Sequence, residues 1–411
     1  MSTNINISDL QAALDNKEFE LFYQPKVSMI TGELTGAEAL IRWQKNGEFI
    51  LPFQFIPLAE ESNFIRKITK YVFNELVVDL ACIGVINDSI VVSFNASGKD
   101  FQDAELAQII NSTIKNNLIQ PNKFEIEVTE TALVNNSQAQ IYLSQMADLG
   151  IRIAMDDFGT GHSGLVELSQ WPFSTLKMDQ KFIKGLKDSD KDREIVKASI
   201  QLAHQLDIGV IAEGVEDEET YQVLQELGCE SAQGYWISKP MALQDFMTYI
   251  KNYKKLSASS AGQLYMSQLD HIQWRKKIID TALFLHQSSK MKSIENLRGS
   301  PEIDHTSCRL GKWYYSLSED CRDDGCYKKL EEPHIALHKT GDELILAAKN
   351  KCSLDELMAI ILRLSEDSIR LLSVLQTCEH YLHDKQLKYI MAEANNGESY
   401  CDLETIKNRR S

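Results

Sequence analysis

The chain has 411 residues, with 43 Lys and Arg against 59 Asp and Glu, giving a formal net charge of −16 at pH 7. That length suggests two or three domains, and 43% hydrophobic with 25% charged residues excludes wholesale disorder. The negative charge argues against a non-specific nucleic-acid or anionic-membrane binder, since both need a basic surface; a small anionic substrate stays open where metals or local Lys and Arg screen it.

The opening MSTNINISDLQAALDNKEFE has no basic stretch leading into an apolar core, so no secretory signal is expected. No uncharged apolar run nears the roughly 20 residues of a spanning helix. A soluble, cytoplasmic protein without membrane insertion is expected. From about residue 15 to 254, short β-rich runs alternate with amphipathic stretches. The predicted strands are 20–27, 34–43, 89–95, 124–129, 152–156, 174–179, 209–212 and 231–236. Helical patterns over 53–80, 103–117, 137–149, 188–206 and 217–227 lie between several of them. About eight such units fit a TIM-like (β/α)8 barrel of the α/β class better than an open sheet.

From about residue 262 long helical-period segments take over, at 264–287, 327–350 and 354–376, before a charged tail at 398–411. The stretch YKKLSASSAG (253–262) is polar and rich in small residues, as linkers are. The expected plan is a barrel over 1–254, a linker over 255–261, and an all-α four-helix bundle with its tail over 262–411. Six of the eight cysteines lie after residue 300 and seven of the nine histidines after residue 270, which hints at a metal site in that half. Disulfides are not expected in a reducing compartment.

Acidic residues recur where a barrel displays its chemistry, at strand C-termini and the loops after them. Glu38 sits in the second predicted strand and Asn95 ends the third. Glu127 and Glu130 close the fourth, Asp156 and Asp157 the fifth, Lys177 and Asp179 the sixth. Glu213 and Glu216 follow the seventh, and Gln233 lies in the last. Charges inside apolar strands are costly unless paired or metal-bound. A divalent cation with oxygen ligands and a set of scattered ion pairs both answer that need.

The stretch GAEALIRW (36–43) resembles the signature of the EAL-type cyclic di-GMP phosphodiesterases. The resemblance continues through YQPK (23–26), PFQFIPLAEES (52–62), FNAS (94–97), EVTE (127–130), DDFGTG (156–161), LKMD (176–179), AEGVE (212–216) and QGYWISKP (233–240). It implies an EAL-variant barrel and hydrolysis of cyclic di-GMP to linear pGpG with two Mg²⁺ or Mn²⁺ ions per active site. The family's metal ligands fall on Glu38, Asn95, Glu127 and Asp156, with Asp157 serving a second ion. Lys177 and Glu213 match residues that orient water and assist proton transfer. Gln24, Arg42 and Gln233 match substrate contacts, Glu130 matches a loop anchor, and Glu216 and Asp179 fall on supporting acidic positions.

Departures are His162 for the usual Tyr, Gly164 for Ser and Asn63 for Gly; His162 reads as a solvated loop residue. Gly159-x-Gly161-x-x-Gly164 spells a dinucleotide fingerprint, but Asp156 and Asp157 precede it and would repel a pyrophosphate. Asp157-Phe158-Gly159 spells a kinase triplet without the companion kinase motifs.

In the second half His334 and His338 lie four apart, on one face of a predicted helix. With His271 and the run CRLGKWYY (308–315), they resemble the chemoreceptor zinc-binding (CZB) domain over roughly 262–385. Its three His and one Cys fall on His271, Cys308, His334 and His338, implying one Zn²⁺ per chain. His305 is a lower-ranked competitor ligand, and Cys321 with Cys326 read as surface thiols. Trp274 and Trp313 read as core anchors. The expected function is cyclic di-GMP hydrolysis regulated by zinc or by the Cys redox state, in a homodimer. The competing reading is a catalytically silent cyclic di-GMP receptor acting through partners, with the bundle a dimerisation element.

Overall fold

The structure is a computed structural model that describes residues 5–133, 137–159, 168, 170–256, 260–287, 303–323 and 325–396. It divides into two compact units, Met1–Leu224 with Cys229–Leu256, and Gln225–Gly228 with Ser257–Ser411.

The first unit is a closed barrel. Its strands are β1 (Phe19–Ser28), β2 (Leu34–Lys45), β3 (Glu48–Ile50), β4 (Val91–Ala96), β5 (Phe124–Thr129), β6 (Arg152–Phe158), β7 (Thr175–Met178), β8 (Gly209–Ala212), β9 (Ser231–Gln233) and β10 (Met241–Ala242). Eight of them close the ring in the order β1-β2-β4-β5-β6-β7-β8-β9, and β9 returns to β1. β2 and β4 to β9 run parallel, whereas β1 is antiparallel to both neighbours. β3 and β10 are short additions at the rim.

Alternation along each strand sorts the side chains. On β5, Phe124 points outward, its ring 5.7 Å from Phe73 of helix Ile65–Ile86 and 6.3 Å from Phe94 of β4. Glu125 and Glu127 point the other way, into the barrel, where a TIM fold ordinarily stacks branched apolar residues. The predicted helical stretch 53–80 is two helices, Pro52–Glu61 and Ile65–Ile86. They part at Asn63, whose φ of +58 is a left-handed turn that Asn tolerates better than most side chains.

The second unit is helical. Helices Ser260–Gln287, Glu331–Lys349 and Leu354–Asn396 pack against one another, and the short helix Arg309–Ser316 joins the first of them. Leu357, Ile360, Leu364, Ser368, Leu371, Leu375 and Cys378 form a buried stripe at three- and four-residue spacing along the longest helix. Gly341 brings helix Glu331–Lys349 close to helix Ser260–Gln287: a Cβ there would lie 2.4 Å from the Trp274 ring. Trp274 and Trp313 belong to this packing, and Trp313 is fully buried. Cys326 corrects the surface reading, since it is buried and sits against Cys378, whereas the Cys321 side chain is not described. His162, Gly164 and the tail at 398–411 lie outside the described residues. Among those described, no helix is long and apolar enough to cross a membrane.

Candidate functional site

The barrel's chemistry gathers around a buried lysine. Lys177, on β7, places its Nζ 2.5 Å from Glu127 Oε2, 2.7 Å from Glu213 Oε1, 3.1 Å from Asp156 Oδ1 and 3.6 Å from Glu38 Oε2. These acids come from four different strands or strand ends, so only closure of the barrel brings them together. The antiparallel register of β1 sets Gln24 opposite Glu38 and Lys26 opposite Gln233. Gln233 Nε2 donates to Glu38 Oε2 (2.7 Å) and to Gln24 Oε1 (3.1 Å), while Asn95 Nδ2 donates to Glu38 Oε1 (2.8 Å). Gln233 Oε1 is buried without a hydrogen-bond partner among the described residues, an acceptor left for something else.

Two consecutive acids on a regular strand face opposite ways. β6 escapes this at its end: its register with β7 shifts between Met155 and Phe158, and Asp157 is left-handed at φ +56. Ligand oxygens of Asp156, Asp157 and Glu213 therefore lie within 4.8 Å of one another.

The electrostatics follow the crowding. Burial alone would push the Lys177 ammonium down, but Asp156, Glu127, Glu213 and Glu38 hold it well above its usual value. Burial would likewise raise Glu127, yet Lys177 and Lys26 hold it well below the carboxylate range. Burial, then the charge on Glu127, pushes Glu38 up. Glu213 is pushed up to about 8, chiefly by burial, and Asp157 to about 6 by burial and by Asp156.

The chain thus sets Glu38, Glu125, Glu127, Asp156, Asp157 and Glu213 against the two ammonium groups of Lys26 and Lys177. An oxygen-only donor set with surplus negative charge suits a hard divalent cation. Of the remaining expected residues, Asp179 touches the cluster through a side-chain hydrogen bond with Asp157, and the others are more dispersed. Glu130 is buried at the start of helix Glu130–Leu133, and Asp179 caps helix Gln180–Lys184 through the Lys181 N–H (2.8 Å). Arg42 lies over the Phe22 ring, 5.7 Å from its centroid. Glu216 pairs with Lys184 at 3.0 Å, both about half exposed.

Sequence reasoning passed over Lys26, Ser93, Glu125 and Thr175. Lys26 is buried, its Nζ 2.6 Å from Ser93 Oγ and 2.7 Å from Glu127 Oε1, and Thr175 Oγ1 donates to Glu125 Oε1 (2.6 Å). The signal was present: FEIEVTE alternates, so Glu125 must face where Glu127 faces, and a second buried acid needs a second cation.

The second unit holds a nitrogen and sulfur cluster. His271, Cys308, His334 and His338 offer ligand atoms within 4.8 Å of one another. Cys308 Sγ is 3.2 Å from His334 Nε2. His271 Nδ1 bonds the Ser267 carbonyl (2.7 Å) and His338 Nδ1 the Ile303 carbonyl (2.8 Å), which leaves both Nε2 atoms buried and without a partner among the described residues. Carbonyls that accept a hydrogen bond from Nδ1–H orient the Nε2 lone pairs, as partners of metal-binding histidines do. Burial lowers His334 to about 2 and His338 to about 4, so both rings are neutral ligands at pH 7. Burial raises the Cys308 thiol to about 11, a cost that a bound cation would relieve by stabilising the thiolate. Three neutral imidazoles and one thiol suit tetrahedral Zn²⁺. His305 stands beside the cluster, its ring 5.9 Å from that of His334, and also meets Tyr315.

The EAL domain profile matches residues 7–240, and the chemoreceptor zinc-binding domain profile matches residues 271–345. The Bacillus subtilis signaling protein YkoW is 37% identical over 243 residues, 59% of this chain and 30% of its own length. The Pseudomonas aeruginosa cyclic di-GMP phosphodiesterase RocR is 33% identical over 246 residues, 59% of this chain and 63% of its own. The chain therefore spans less than two thirds of either relative. The solved PaMucR phosphodiesterase in complex with c-di-GMP superimposes with a TM-score of 0.55 at 34% identity, covering 58% of this chain and 98% of that one.

Proposed function

The chain belongs to the EAL domain family, and on that premise we propose that its barrel hydrolyses cyclic di-GMP to linear pGpG. The observation that carries this reading is the ring of Glu38, Glu127, Asp156 and Glu213 closed around Lys177, with no acid of the set missing. Glu38, Asn95, Glu127, Asp156 and Asp157 are the residues that would hold two Mg²⁺ or Mn²⁺ ions. Such ions relieve the repulsion between a phosphodiester and an incoming hydroxide and lower the pKa of bound water.

The chain's own groups do the rest. Lys177, fixed on several acids at once, is a point charge placed to orient an oxyanion or water. Glu213, raised to about 8, is poised to hold or release a proton near neutral pH. Gln24 and Gln233 form a hydrogen-bonded amide pair beside Glu38, and Gln233 Oε1 is free to accept from the substrate. Arg42 would meet the dinucleotide, Glu130 would anchor a loop, and Asp179 and Glu216 would support. Zn²⁺ held by His271, Cys308, His334 and His338 would regulate turnover, in a homodimer with the expected plan of barrel, linker and bundle.

Purified chain, given cyclic di-GMP and Mg²⁺ or Mn²⁺, should accumulate pGpG, and Glu38→Ala or Asp156→Ala should abolish it while keeping the fold. Tight binding of cyclic di-GMP without any cleavage would convert the reading to a receptor.

A further inference from the structure

We infer that Lys26 is a positioning residue that dictates how Glu127 meets a divalent cation, by holding one of its two oxygens away from the barrel mouth. Pairing along the sheet places it. On β4, Ser93 pairs with Glu125 and Asn95 with Glu127, so Ser93 and Glu125 lie one layer deeper than the ligand layer. β1 runs against its neighbours, so after Gln24 has met Glu38 the chain descends, and Lys26 enters that deeper layer. There its Nζ bonds Ser93 Oγ at 2.6 Å and Glu127 Oε1 at 2.7 Å, with Glu125 Oε2 at 3.8 Å. Glu127 Oε2 faces the other way, to Lys177 at 2.5 Å. All of these side chains are buried, so none can trade its partner for water.

A carboxylate oxygen has two acceptor positions, so Oε2 can serve Lys177 and a cation together. Oε1 already carries the Lys26 ammonium, so a cation chelated by both oxygens would be crowded by two ammonium groups, whereas one held by Oε2 alone meets only Lys177. Glu127 is thereby limited to offering one oxygen. Mg²⁺ takes its carboxylates singly within a strict octahedron, whereas Ca²⁺ accepts two oxygens from one carboxylate in a larger, looser shell. Lys26 should therefore disfavour Ca²⁺ relative to Mg²⁺ at this site.

The inference rests on the proposed cation site, and the test separates the two. Mg²⁺ and Ca²⁺ are titrated calorimetrically, without substrate, into full-length chain whose zinc site is left loaded. The wild type, Lys26→Met and the near-isosteric Lys26→Gln are compared, with folding checked by circular dichroism. Removing the ammonium should tighten Ca²⁺ about tenfold more than it tightens Mg²⁺. Glu125→Gln, which leaves Lys26 on Glu127 and Ser93, should show no such gain. An unchanged Ca²⁺ to Mg²⁺ ratio in a folded Lys26 variant overturns the role of Lys26 and leaves the cation site standing. Wild-type chain that binds neither ion overturns the cation site, and this inference falls with it.

Discussion

Lys177 is 1% exposed and answers to four acids, which makes it costly to remove and specific in effect. Lys177→Met should lower kcat by about 100-fold or more, the scale of losing one preorganised electrostatic contact. Binding of Mg²⁺ should not weaken, since the variant leaves the acids more negative; a parallel loss of metal affinity would make Lys177 part of the metal scaffold instead. The histidines give a pH dependence whose sign is fixed. In the unfolded chain they titrate near 6.5, whereas the metal-free fold lowers His334 to about 2 and His338 to about 4. The unfolded chain therefore takes up protons that the fold refuses as pH drops below about 6.5. Stability of the metal-free bundle should be full above that pH and decline from pH 6.5 toward 4. Thermal melts at pH 7.5 and 5.5 should differ by several degrees, at roughly 2–4 °C per kcal/mol for a unit this size. His334→Phe should shrink that difference.

At the scale of elements, β5 and β8 fall on the predicted runs 124–129 and 209–212, and the other ring strands differ from theirs by a few residues. They were readable because apolar alternation and length are local properties. The reversal of β1 was not, because a strand's direction is set by its neighbours and leaves no mark on its own residues. Lys26 shares the YQPK run with Gln24, but only the reversed direction of β1 shows that it reaches the layer of Ser93 and Glu125. The bulge that turns both Asp156 and Asp157 toward the mouth was equally silent, being a matter of register. In the bundle, His334 and His338 announced themselves by spacing, but the approach that orients them did not: Trp274 lies against both Gly341 and the His338 ring, 4.4 Å from the latter's centroid. Gly341→Ala should destabilise the bundle by about 1–3 kcal/mol through overpacking, and weaken zinc binding with it. Circular dichroism melts and zinc competition measure the two. Unchanged zinc affinity in a destabilised variant would separate helix spacing from the metal site.

For the molecule as a whole, a charge of −16 and a division into two units have separate consequences. The surplus of acid over base should make cation loading strongly dependent on ionic strength at the surface, and far less so at the buried cluster around Lys177. The two units should also respond separately to metal removal. A zinc-selective chelator should lower the melting transition of the bundle while leaving that of the barrel in place, because the Cys308 cluster belongs wholly to the second unit. A fragment ending near residue 254 should hydrolyse cyclic di-GMP regardless of that chelator. If the full chain is equally indifferent while zinc analysis confirms loading, the bundle is a scaffold and zinc control is wrong.

The spacing of the four zinc-type ligands along the chain bears on how the bundle assembles. Cys308 follows His271 by 37 residues, and His334 follows Cys308 by 26. One ion joining them closes two long loops at once, as a pair of cross-links would, and each closure removes about 3–4 kcal/mol of freedom from the open chain in the simplest entropic treatment. A bundle tied in this way has few half-measures. While the ion stays, three segments distant in sequence share one fixed point; when it leaves, all three regain their freedom together. If zinc occupancy is the signal, its output would be a change in how much of the chain is ordered, with any tilt of one helix against another a lesser part.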